Sequence, residues 1–365
     1  MDRGINNTNI LYLTKTMNYG GTEKVIMQLC ENLTDNFNNI VVCSTGGVHE
    51  DKLNQLGIKH YKIGDFDNKS LSNIFKTVIE IRRIVKEESI NIIHSHHRMG
   101  TFYAKIISAF TGCKVVHTAH NTFTDKKLFT KFALSNVDII AVGANVKKNL
   151  VDYFNLDKSK VQVIYNGIAK EKFEPNEVKE IAELKEQGYF IVGNIGRLSE
   201  QKGFKYFIDA ISEVAKVNDK IRFIIVGDGE LKDELVNQCR QLNVDKYVKF
   251  LGFRKDVLNI INQLDIVVLS SLWEGLPLTP IEVFSQGKTI IATNVDGTPE
   301  IVADGYNGIL VNPKNSDDIC KSIVNLYNNN DLISEYGVNG FNTYLNKFTL
   351  ERMIENYKKY YMEYI

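Results

Sequence analysis

The feature that most constrains this chain is an alternation of short apolar strand patterns with longer amphipathic helical patterns. In the first half, one helical pattern covers Leu71–Glu88, and strand patterns lie at 9–14, 40–44, 90–94, 115–119, 139–142 and 161–165. Short strands joined by long connections indicate crossovers and a parallel sheet covered on both faces. Residues 1–166 are therefore predicted to form a doubly wound, Rossmann-like α/β domain.

The same alternation restarts at Tyr189, after a charged and weakly periodic stretch at 167–188 that has the composition of a linker. Strand patterns follow at 189–195, 221–226, 247–251, 265–270, 289–293 and 308–311. They predict a second doubly wound domain over 189–345, and a last helix at 346–365 is expected to pack back toward the first domain. The length of 365 residues also favours two domains over one core. Ligands of such folds bind in the cleft lined by the loops at the strand carboxyl ends.

The composition excludes several classes of protein. The net charge is zero, so no nucleic-acid partner is expected, although residues 1–165 hold more Lys and Arg than Asp and Glu. The five cysteines are scattered and include no C-x-x-C pair, which favours reduced thiols in the cytosol. The N-terminal residues lack a signal-peptide pattern, and no run reaches the ~18 apolar residues of a membrane span. We expect a cytoplasmic protein that at most attaches to the inner face of the membrane.

The stretch 269–302 holds most of the polar groups that folding alone would not require. Its strand ends near Ser270, a loop carries Glu274, and a helical pattern follows at 280–286. A strand end followed by a helix N-terminus suits a phosphate-bearing ligand, since the first N–H groups and the dipole of a helix favour anions. Glu274 has no capping partner and is a candidate contact for sugar hydroxyls. For Glu282 two interpretations stay open, namely a ligand contact or a capping box with Thr279.

Two more glycine-containing loops follow predicted strands. Gly20 and Gly21 come after the first strand and open a helix, where a backbone without side chains can approach a ligand. A plain Gly-Gly turn is the competing interpretation. Arg197 and Lys202 lie in the loop after the strand at 189–195, and two cations of different reach suit a diphosphate that no metal neutralises.

Histidine is concentrated in one region of the first half. Five of the seven histidines lie between 94 and 120, namely His94, His96, His97, His117 and His120. A metal site is one interpretation, but no cysteine or carboxylate of suitable spacing accompanies the rings, so no metal is expected. A strand-end histidine that contacts a substrate hydroxyl or assists proton movement is favoured. Asp65-x-Asp67 matches the D-x-D pattern of a metal–diphosphate motif but lies in a loop far from these residues in the sequence.

Together, these motifs resemble those of the retaining glycosyltransferases of family 4, enzymes with the two-domain GT-B fold. The most specific similarity is the spacing of Glu274 and Glu282, an E-x7-E motif. GRLSEQKG at 196–203 resembles the phosphate-binding loop of the family, GGTE at 20–23 its first glycine motif, and NGI at 166–168 the entry to its linker. VGDGELKDEL, FLGFRKDV and DGTPEIVADGYNGILV are further similarities, and the resemblance runs from about Asn9 to the last helix.

The resemblance implies a nucleotide diphosphate sugar as donor and no metal or other cofactor. Arg197 and Lys202 would hold the diphosphate, Glu282 the ribose and Glu274 the hydroxyls of the donor sugar, with His120 near the donor sugar and the acceptor. The implied donor-binding set is Gly20, Gly21, Arg197, Lys202, Gly252, Phe253, Glu274, Gly275, Leu276, Leu278 and Glu282, and the implied catalytic set is Glu274, His120, Arg197 and Lys202. The chain departs from the family at Pro277 and Pro280, and a proline at 277 removes one N–H from the cradle of the distal phosphate.

The implied reaction moves a hexosyl or N-acetylhexosaminyl group to an acceptor hydroxyl with retained anomeric configuration, in the assembly of a cell-surface polysaccharide or glycoconjugate. Two alternatives are a GT-B sugar phosphorylase and a non-catalytic partner subunit that binds a nucleotide sugar. His96, Asn121, Lys126 and Lys127 are assigned to the acceptor side, within the first domain. The segment Asn121–Phe132 mixes lysines with phenylalanines, which suits a lipid-linked acceptor at a membrane surface, although an ordinary amphipathic helix explains them as well.

Overall fold

The computed structural model has two parallel β-sheets, each in its own unit. It describes residues 7–170 and 176–364. Contacts divide the chain into a first unit, which ends at Asn166 and resumes at Leu350, and a second unit, Gly167–Thr349. Residues 1–6, residues 171–175 of the predicted linker, and Ile365 of the predicted last helix lie outside the described residues.

The first unit contains a seven-stranded sheet. Its strands are β1 (Asn9–Leu13), β2 (Asn39–Ser44), β3 (Lys59–Lys62), β4 (Ile92–Ser95), β5 (Lys114–Ala119), β6 (Asp138–Ala141) and β7 (Val161–Val163). The order is β3-β2-β1-β4-β5-β6-β7, and every neighbouring pair is parallel. The helices between them are α1 (Gly21–Leu33), α2 (Glu50–Gln55), α3 (Leu71–Glu87), α4 (Arg98–Thr111), α5 (Lys127–Leu134) and α6 (Ala144–Lys148).

The second unit contains a six-stranded sheet of the same kind. Its strands are β8 (Phe190–Ile195), β9 (Ile221–Val226), β10 (Val248–Gly252), β11 (Ile266–Leu269), β12 (Thr289–Thr293) and β13 (Gly308–Val311), in the order β10-β9-β8-β11-β12-β13. The helices are α7 (Lys179–Glu186), which lies within the predicted linker, α8 (Phe204–Val217), α9 (Lys232–Gln241), α10 (Val257–Gln263), α11 (Leu278–Ser285), α12 (Ser316–Asn328) and α13 (Asn330–Lys347). The last helix, α14 (Leu350–Tyr364), lies in the first unit.

The inner strands of both sheets consist almost entirely of residues that are buried, whichever face of the sheet they point to. The six residues of β2, for example, are Asn39 at the edge of the core followed by five buried residues. Such continuous apolar runs are typical of parallel strands with helices on both faces, and the predicted α/β class is confirmed. Along the described residues, no helix combines the length and the apolar character that crossing a bilayer requires.

The prediction missed β3 and α2. β3 has the sequence KHYK, in which no residue is fully buried, because β3 is the outermost strand of its sheet. An edge strand with one solvated side does not need an apolar run. α2 has six residues and only one of them, Leu53, is buried, so it carries no periodic pattern to detect.

The core of the first unit is completed by α14. Met353, Ile354, Tyr357, Tyr360 and Tyr361 pack in the same hydrophobic cluster as Ile10 and Tyr12 of β1. The apolar residues of α14 recur at three- and four-residue intervals, which places them on one side of the helix. The first unit therefore depends on residues from both ends of the chain.

We expect Tyr357→Ala to destabilise the first unit by roughly 3–5 kcal/mol, since the ring is fully buried. Hydrogen exchange should then accelerate at the amides of β1 and β4, and those of β8 and β11 should keep their protection. Tyr344→Ala is the matched control, because this equally buried tyrosine of α13 lies in the second unit. It should give the opposite pattern, and a loss of protection in the second unit on Tyr357→Ala would contradict the assignment of α14.

Candidate functional site

At the carboxyl edge of the second sheet, three loops contact one another through their backbones. Gly203, which ends the loop after β8, has a φ of +60°, and a Cβ there would lie 2.2 Å from the carbonyl oxygen of Ser270. A Cβ on Gly297, in the loop after β12, would lie 1.9 Å from the carbonyl oxygen of Gly275. Neither approach leaves room for a side chain. The loops after β8, β11 and β12 are therefore held together at fixed positions.

Hydrogen bonds hold Lys202 against the loop that follows β11. The backbone N–H of Leu272 donates to the carbonyl oxygen of Gln201 at 2.7 Å. The amide of Gln201 donates to the carbonyl oxygen of Trp273 at 2.9 Å, and the hydroxyl of Ser270 donates to the carbonyl oxygen of Lys202 at 2.9 Å. These contacts place the Lys202 backbone beside the residues that precede Glu274.

Lys202 and Glu274 form a largely buried ion pair. The Lys202 Nζ lies 2.5 Å from Glu274 Oε1, and the two side chains are 19% and 7% exposed. The hydroxyl of Ser271 donates to the same Oε1 at 2.7 Å. Since burial of an unpaired charge is costly, the ammonium and the carboxylate stabilise each other. The orientation of the Glu274 carboxylate is thus fixed by two donors.

The backbone of Glu274 is held as well. Its N–H donates to Asp296 Oδ2 at 2.8 Å. Asp296 lies in the loop after β12 and has a φ of +41°, a backbone conformation that is uncommon outside glycine. Strained backbone of this kind is found preferentially at functional sites. Asp296 therefore couples the loop after β12 to the position of the Glu274 carboxylate.

Arg197, the second predicted cation, has a different environment. Its side chain is 74% exposed, and its guanidinium lies 3.3 Å from Glu230 Oε2. Exposed pairs of this kind contribute little to stability, so the arginine is able to exchange partners. Of the two cations in the GRLSEQKG loop, Lys202 is thus largely buried and Arg197 is exposed to solvent.

β10 is the outermost strand of the second sheet, and its last residue is Gly252. Gly252 and Phe253 therefore also lie at the carboxyl ends of the strands. Gly252 has a φ of +67°, and its carbonyl oxygen accepts from the N–H of Gly227 at 2.8 Å. Phe253 follows and is about half exposed. The loops after β8, β10 and β11 therefore border the carboxyl edge of the second sheet, and they carry those predicted donor-binding residues of the second unit that precede α11.

The start of α11 corrects one expectation. The helix begins at Leu278 with Pro277 as its N-cap, so Thr279 lies inside the first turn and the capping box of Thr279 with Glu282 is wrong. Proline at 280 is tolerated, because the N–H groups of the first turn have no partner within the helix. Gly275 and Leu276 are buried just before the helix, and Glu282 lies half-buried one turn after Leu278. The ligand-contact interpretation of Glu282 stays a prediction.

In the first unit, Gly20 and Gly21 lie at the start of α1 and are exposed. Gly20 has an extended backbone, and a Cβ there would lie 2.3 Å from Glu23 Oε2. Thr16 donates to the other oxygen of Glu23 at 2.8 Å, and burial raises the pKa of Glu23. The absence of a side chain at Gly20 thus leaves room for the Glu23 carboxylate beside the start of the helix.

Three of the predicted histidines connect through rings and hydroxyls at the carboxyl ends of β4 and β5. His96 Nδ1 lies 2.8 Å from His120 Nε2, and the His94 ring stacks on that of His96 at 4.5 Å. His94 Nε2 contacts the hydroxyl of Thr118 at 2.7 Å, and His94 Nδ1 contacts the hydroxyl of Tyr361 at 2.5 Å. A connected series therefore runs from the half-buried His120 to α14. His117 lies outside this series and contacts the hydroxyl of Thr101 at 2.7 Å through Nδ1.

Burial keeps these rings neutral. Desolvation lowers the pKa of His120 and of His97 to about 4 and that of His94 to about 3. It also lowers the pKa values of His96 and His117 well below the ordinary value of 6.5. With both rings neutral, His96 and His120 share one hydrogen between Nδ1 and Nε2. His120 is thus able to offer a neutral imidazole to a hydroxyl.

Residues of the predicted acceptor segment form hydrogen bonds, an ion pair and a cation–π contact within the first unit. Asn149 contacts Phe123 through two hydrogen bonds of 3.0 Å, between its side-chain amide and the Phe123 backbone. The ammonium of Lys127 lies 4.3 Å from the centre of the Tyr153 ring, and that of Lys126 lies 3.7 Å from Asp125 Oδ2. Asn121 is half-buried just after His120. Both lysines are exposed at the start of α5, within the first unit.

Among the described residues, no group of three or more His, Cys, Asp or Glu side chains is arranged to hold a metal ion. In the loop with the sequence Asp65-x-Asp67, Asp67 pairs with Lys15 instead. The predicted site residues therefore fall into two groups, one in each unit.

Sequence reasoning missed Ser271, Asp296 and Tyr361. Ser271 directly follows the strand that leads to Glu274, and Asp296 belongs to the DGTPEIV segment. Their positions after predicted strands were the available signal. Tyr361 contacts a histidine 267 residues away in the sequence, and no local pattern indicates such a contact.

Comparisons with known proteins give a consistent result. The sequence matches the family model described as Glycosyltransferase Family 4 over residues 19–172 and the one described as Glycosyl transferases group 1 over residues 176–343. It is 27% identical to the UDP-Gal:alpha-D-GlcNAc-diphosphoundecaprenol alpha-1,3-galactosyltransferase of Escherichia coli, over 94% of each chain. It is 30% identical to a glycosyltransferase of Methanocaldococcus jannaschii, over 77% of this chain and 78% of the relative.

Solved structures share the fold. Anabaena HepE in complex with UDP-glucose superposes with a TM-score of 0.86 at 21% identity, over 98% of this chain and all of HepE. A glycosyltransferase from Rickettsia africae superposes with a TM-score of 0.86 at 22% identity, over 98% of each chain. At these identities, the likeness shows that the fold is shared.

We expect Lys202→Met to lower the free energy of unfolding of the second unit by roughly 3 kcal/mol, because it leaves the Glu274 carboxylate buried without its cation. Arg197→Met should change it by less than about 0.5 kcal/mol, since that side chain is exposed. Urea unfolding measures both. The double variant Lys202→Met/Glu274→Gln should recover part of the loss, and equal effects of the two single variants would contradict the difference in burial.

The buried histidines should also make the free energy of unfolding of the first unit decrease as the pH is lowered. Because their pKa values are lower in the folded than in the unfolded chain, stability is full above the ordinary value of 6.5 and is lost as the pH falls toward about 4. Each such ring contributes about 1.4 kcal/mol per pH unit in that window. Urea unfolding at several pH values in this window should show that the free energy of unfolding changes less steeply with pH in His94→Gln than in the wild type. An equal change with pH in the two proteins would contradict a neutral, buried His94.

Proposed function

Because this chain belongs to the glycosyltransferases of family 4 and group 1 and has the GT-B fold, we propose that it moves a hexosyl or N-acetylhexosaminyl group from a nucleotide diphosphate sugar to an acceptor hydroxyl with retained anomeric configuration. Glycosyl transfer itself follows from the family. The retained anomeric configuration, the class of donor and the class of acceptor are what we propose.

The pair of Lys202 and Glu274 carries this proposal. Carboxylates repel phosphate, so an acid beside a phosphate-binding loop needs a neutralising cation, and Lys202 supplies it at 2.5 Å. Glu274 Oε1 is bound by Lys202 and Ser271, which orients the carboxylate to accept hydrogen bonds from hydroxyls of the donor sugar. Glu282 on α11 is assigned to the ribose.

Departure of the nucleoside diphosphate is assisted by positive charge in this proposal. The bond between the anomeric carbon and the diphosphate oxygen breaks, and its electron pair goes to the diphosphate. Arg197 and Lys202 stabilise the developing charge, as oriented cations do at other phosphate sites. Arg197 suits this role because its exposed guanidinium is able to turn from Glu230 to a phosphate.

The acceptor oxygen then bonds to the anomeric carbon on the face that the diphosphate leaves. The proton of the acceptor hydroxyl passes to an oxygen of the leaving phosphate, so the reaction needs no separate protein base. His120 is assigned a hydrogen bond to a hydroxyl of the donor sugar or the acceptor. Its lowered pKa, about 4, supports a neutral ring that donates or accepts without adding charge.

The E. coli relative suggests the substrate class. That enzyme takes UDP-galactose as donor and a diphosphoundecaprenol-linked N-acetylglucosamine as acceptor. We assign this chain a UDP-hexose as the first donor to test and a lipid-linked glycan as acceptor, in the assembly of a cell-surface polysaccharide or glycoconjugate. Gly20, Gly21, Gly252 and Phe253 are assigned to the donor, and His96, Asn121, Lys126 and Lys127 to the acceptor.

The test is product formation with panels of UDP-, GDP- and ADP-sugars and lipid-linked or short glycan acceptors, in the presence of EDTA. We expect turnover with one donor class, and Glu274→Gln should lower kcat by ~100-fold or more, as loss of an oriented active-site group does. Glu230→Gln is the matched control, because this acid is exposed and forms its ion pair with the exposed Arg197.

Each contrary result has a separate meaning. Loss of turnover on chelation would contradict the metal-free part of the proposal. Turnover that depends on inorganic phosphate would identify a phosphorylase, and binding of a nucleotide sugar without turnover would identify a partner subunit. Wild-type activity in Glu274→Gln would remove the role of that carboxylate.

A further inference from the structure

One side of α3 exposes large apolar residues to solvent. Leu71, Phe75 and Ile79 are 84%, 70% and 50% exposed. They are spaced by four residues and therefore line one side of the helix, while Ile81 and Ile84 on the other side are buried in the first unit. A helix on a soluble surface usually presents polar residues there. This apolar row is therefore not explained by folding.

The row continues onto the two neighbouring helices. α4 packs beside α3, and α5 packs beside α4. The exposed ring of Phe110, at the end of α4, lies 5.5 Å from the Arg82 guanidinium of α3. On α5, Leu128 and Phe132 are exposed one turn apart. We call the outer surface of α3, α4 and α5 the three-helix face.

Cations predominate on the three-helix face. The segments 71–87, 98–111 and 125–134 contain nine Lys and Arg residues against three Asp and Glu. Each of the three acids lies near a cation of these segments: Glu80 near Lys76 at 3.9 Å, Glu87 near Arg83 at 3.6 Å, and Asp125 near the largely buried Arg98 at 3.0 Å. An excess of positive charge therefore surrounds the apolar residues.

We propose that the three-helix face binds the surface of an anionic lipid bilayer. Apolar side chains interleaved with Lys and Arg are suited to the boundary between acyl chains and headgroups, where the rings and aliphatic groups enter and the cations contact phosphate. A second copy of the chain is a poorer partner, because a symmetric contact would bring two positively charged faces together. The inference deepens the proposed function, since a lipid-linked acceptor lies at such a surface.

Flotation of the full chain with vesicles of phosphatidylcholine, with and without phosphatidylglycerol, tests this proposal. We expect binding to the anionic vesicles that weakens at about 0.5 M salt, because salt screens the headgroup charge. Leu71→Ser/Phe75→Ser should lower the bound fraction at least ~10-fold through the lost apolar insertion. Arg82→Glu/Arg83→Glu should do the same at low salt.

Val217→Ser/Val338→Ser is the matched control. These two valines are exposed to a similar extent but lie in the second unit, so their replacement should leave flotation unchanged. The melting temperature of every variant reports whether it is folded, and transfer to a short soluble acceptor should be equal in the α3 variant and the wild type.

Two results would overturn the proposal. One is failure of the wild-type chain to float with any vesicle, and the other is equal flotation of the α3 variant and the wild type. A dimer in light scattering that is lost in Leu71→Ser/Phe75→Ser, without vesicle binding, would identify a second copy as the partner instead. Intact flotation in a chain that uses no nucleotide sugar would contradict the proposed function and leave this inference standing.

Discussion

The candidate site of the second unit depends on close contact between loop backbones. A parallel sheet brings the carboxyl ends of its strands to one edge, but it does not by itself fix the loops that follow. Gly203 against Ser270 and Gly297 against Gly275 fix them, because each pair approaches more closely than any side chain permits. Only with the loops so placed does the ammonium of Lys202 reach the carboxylate of Glu274.

That ion pair has both a structural and a chemical consequence. It offsets the free-energy cost of burying a carboxylate and an ammonium away from water. Ser271 and Asp296 support it through the side chain and the backbone of Glu274, respectively. Arg197 contributes the opposite property, since its exposed guanidinium is weakly held. One site thus combines a fixed acid with a movable cation.

The fold could be predicted further than the site. Apolar periodicity reports burial directly, so both parallel sheets follow from the sequence, whereas the polar edge strand β3 gives no such signal. The Thr279-x-x-Glu282 pattern fits a capping box, yet Pro277 starts α11 earlier and places Thr279 inside the first turn. The different burial of Arg197 and Lys202 arises from tertiary contacts, which residue type and spacing do not encode. The same holds for the contact between His94 and Tyr361.

The position of α14 has a consequence for biosynthesis. Five side chains of this last helix complete the cluster that also contains β1. During translation, the first unit emerges from the ribosome without them, and the whole second unit is made before they appear. Domains generally fold as they leave the ribosome, the N-terminal one first. Here the order of completion is reversed, so the nascent first unit exposes the apolar side chains of this cluster until α14 has been made.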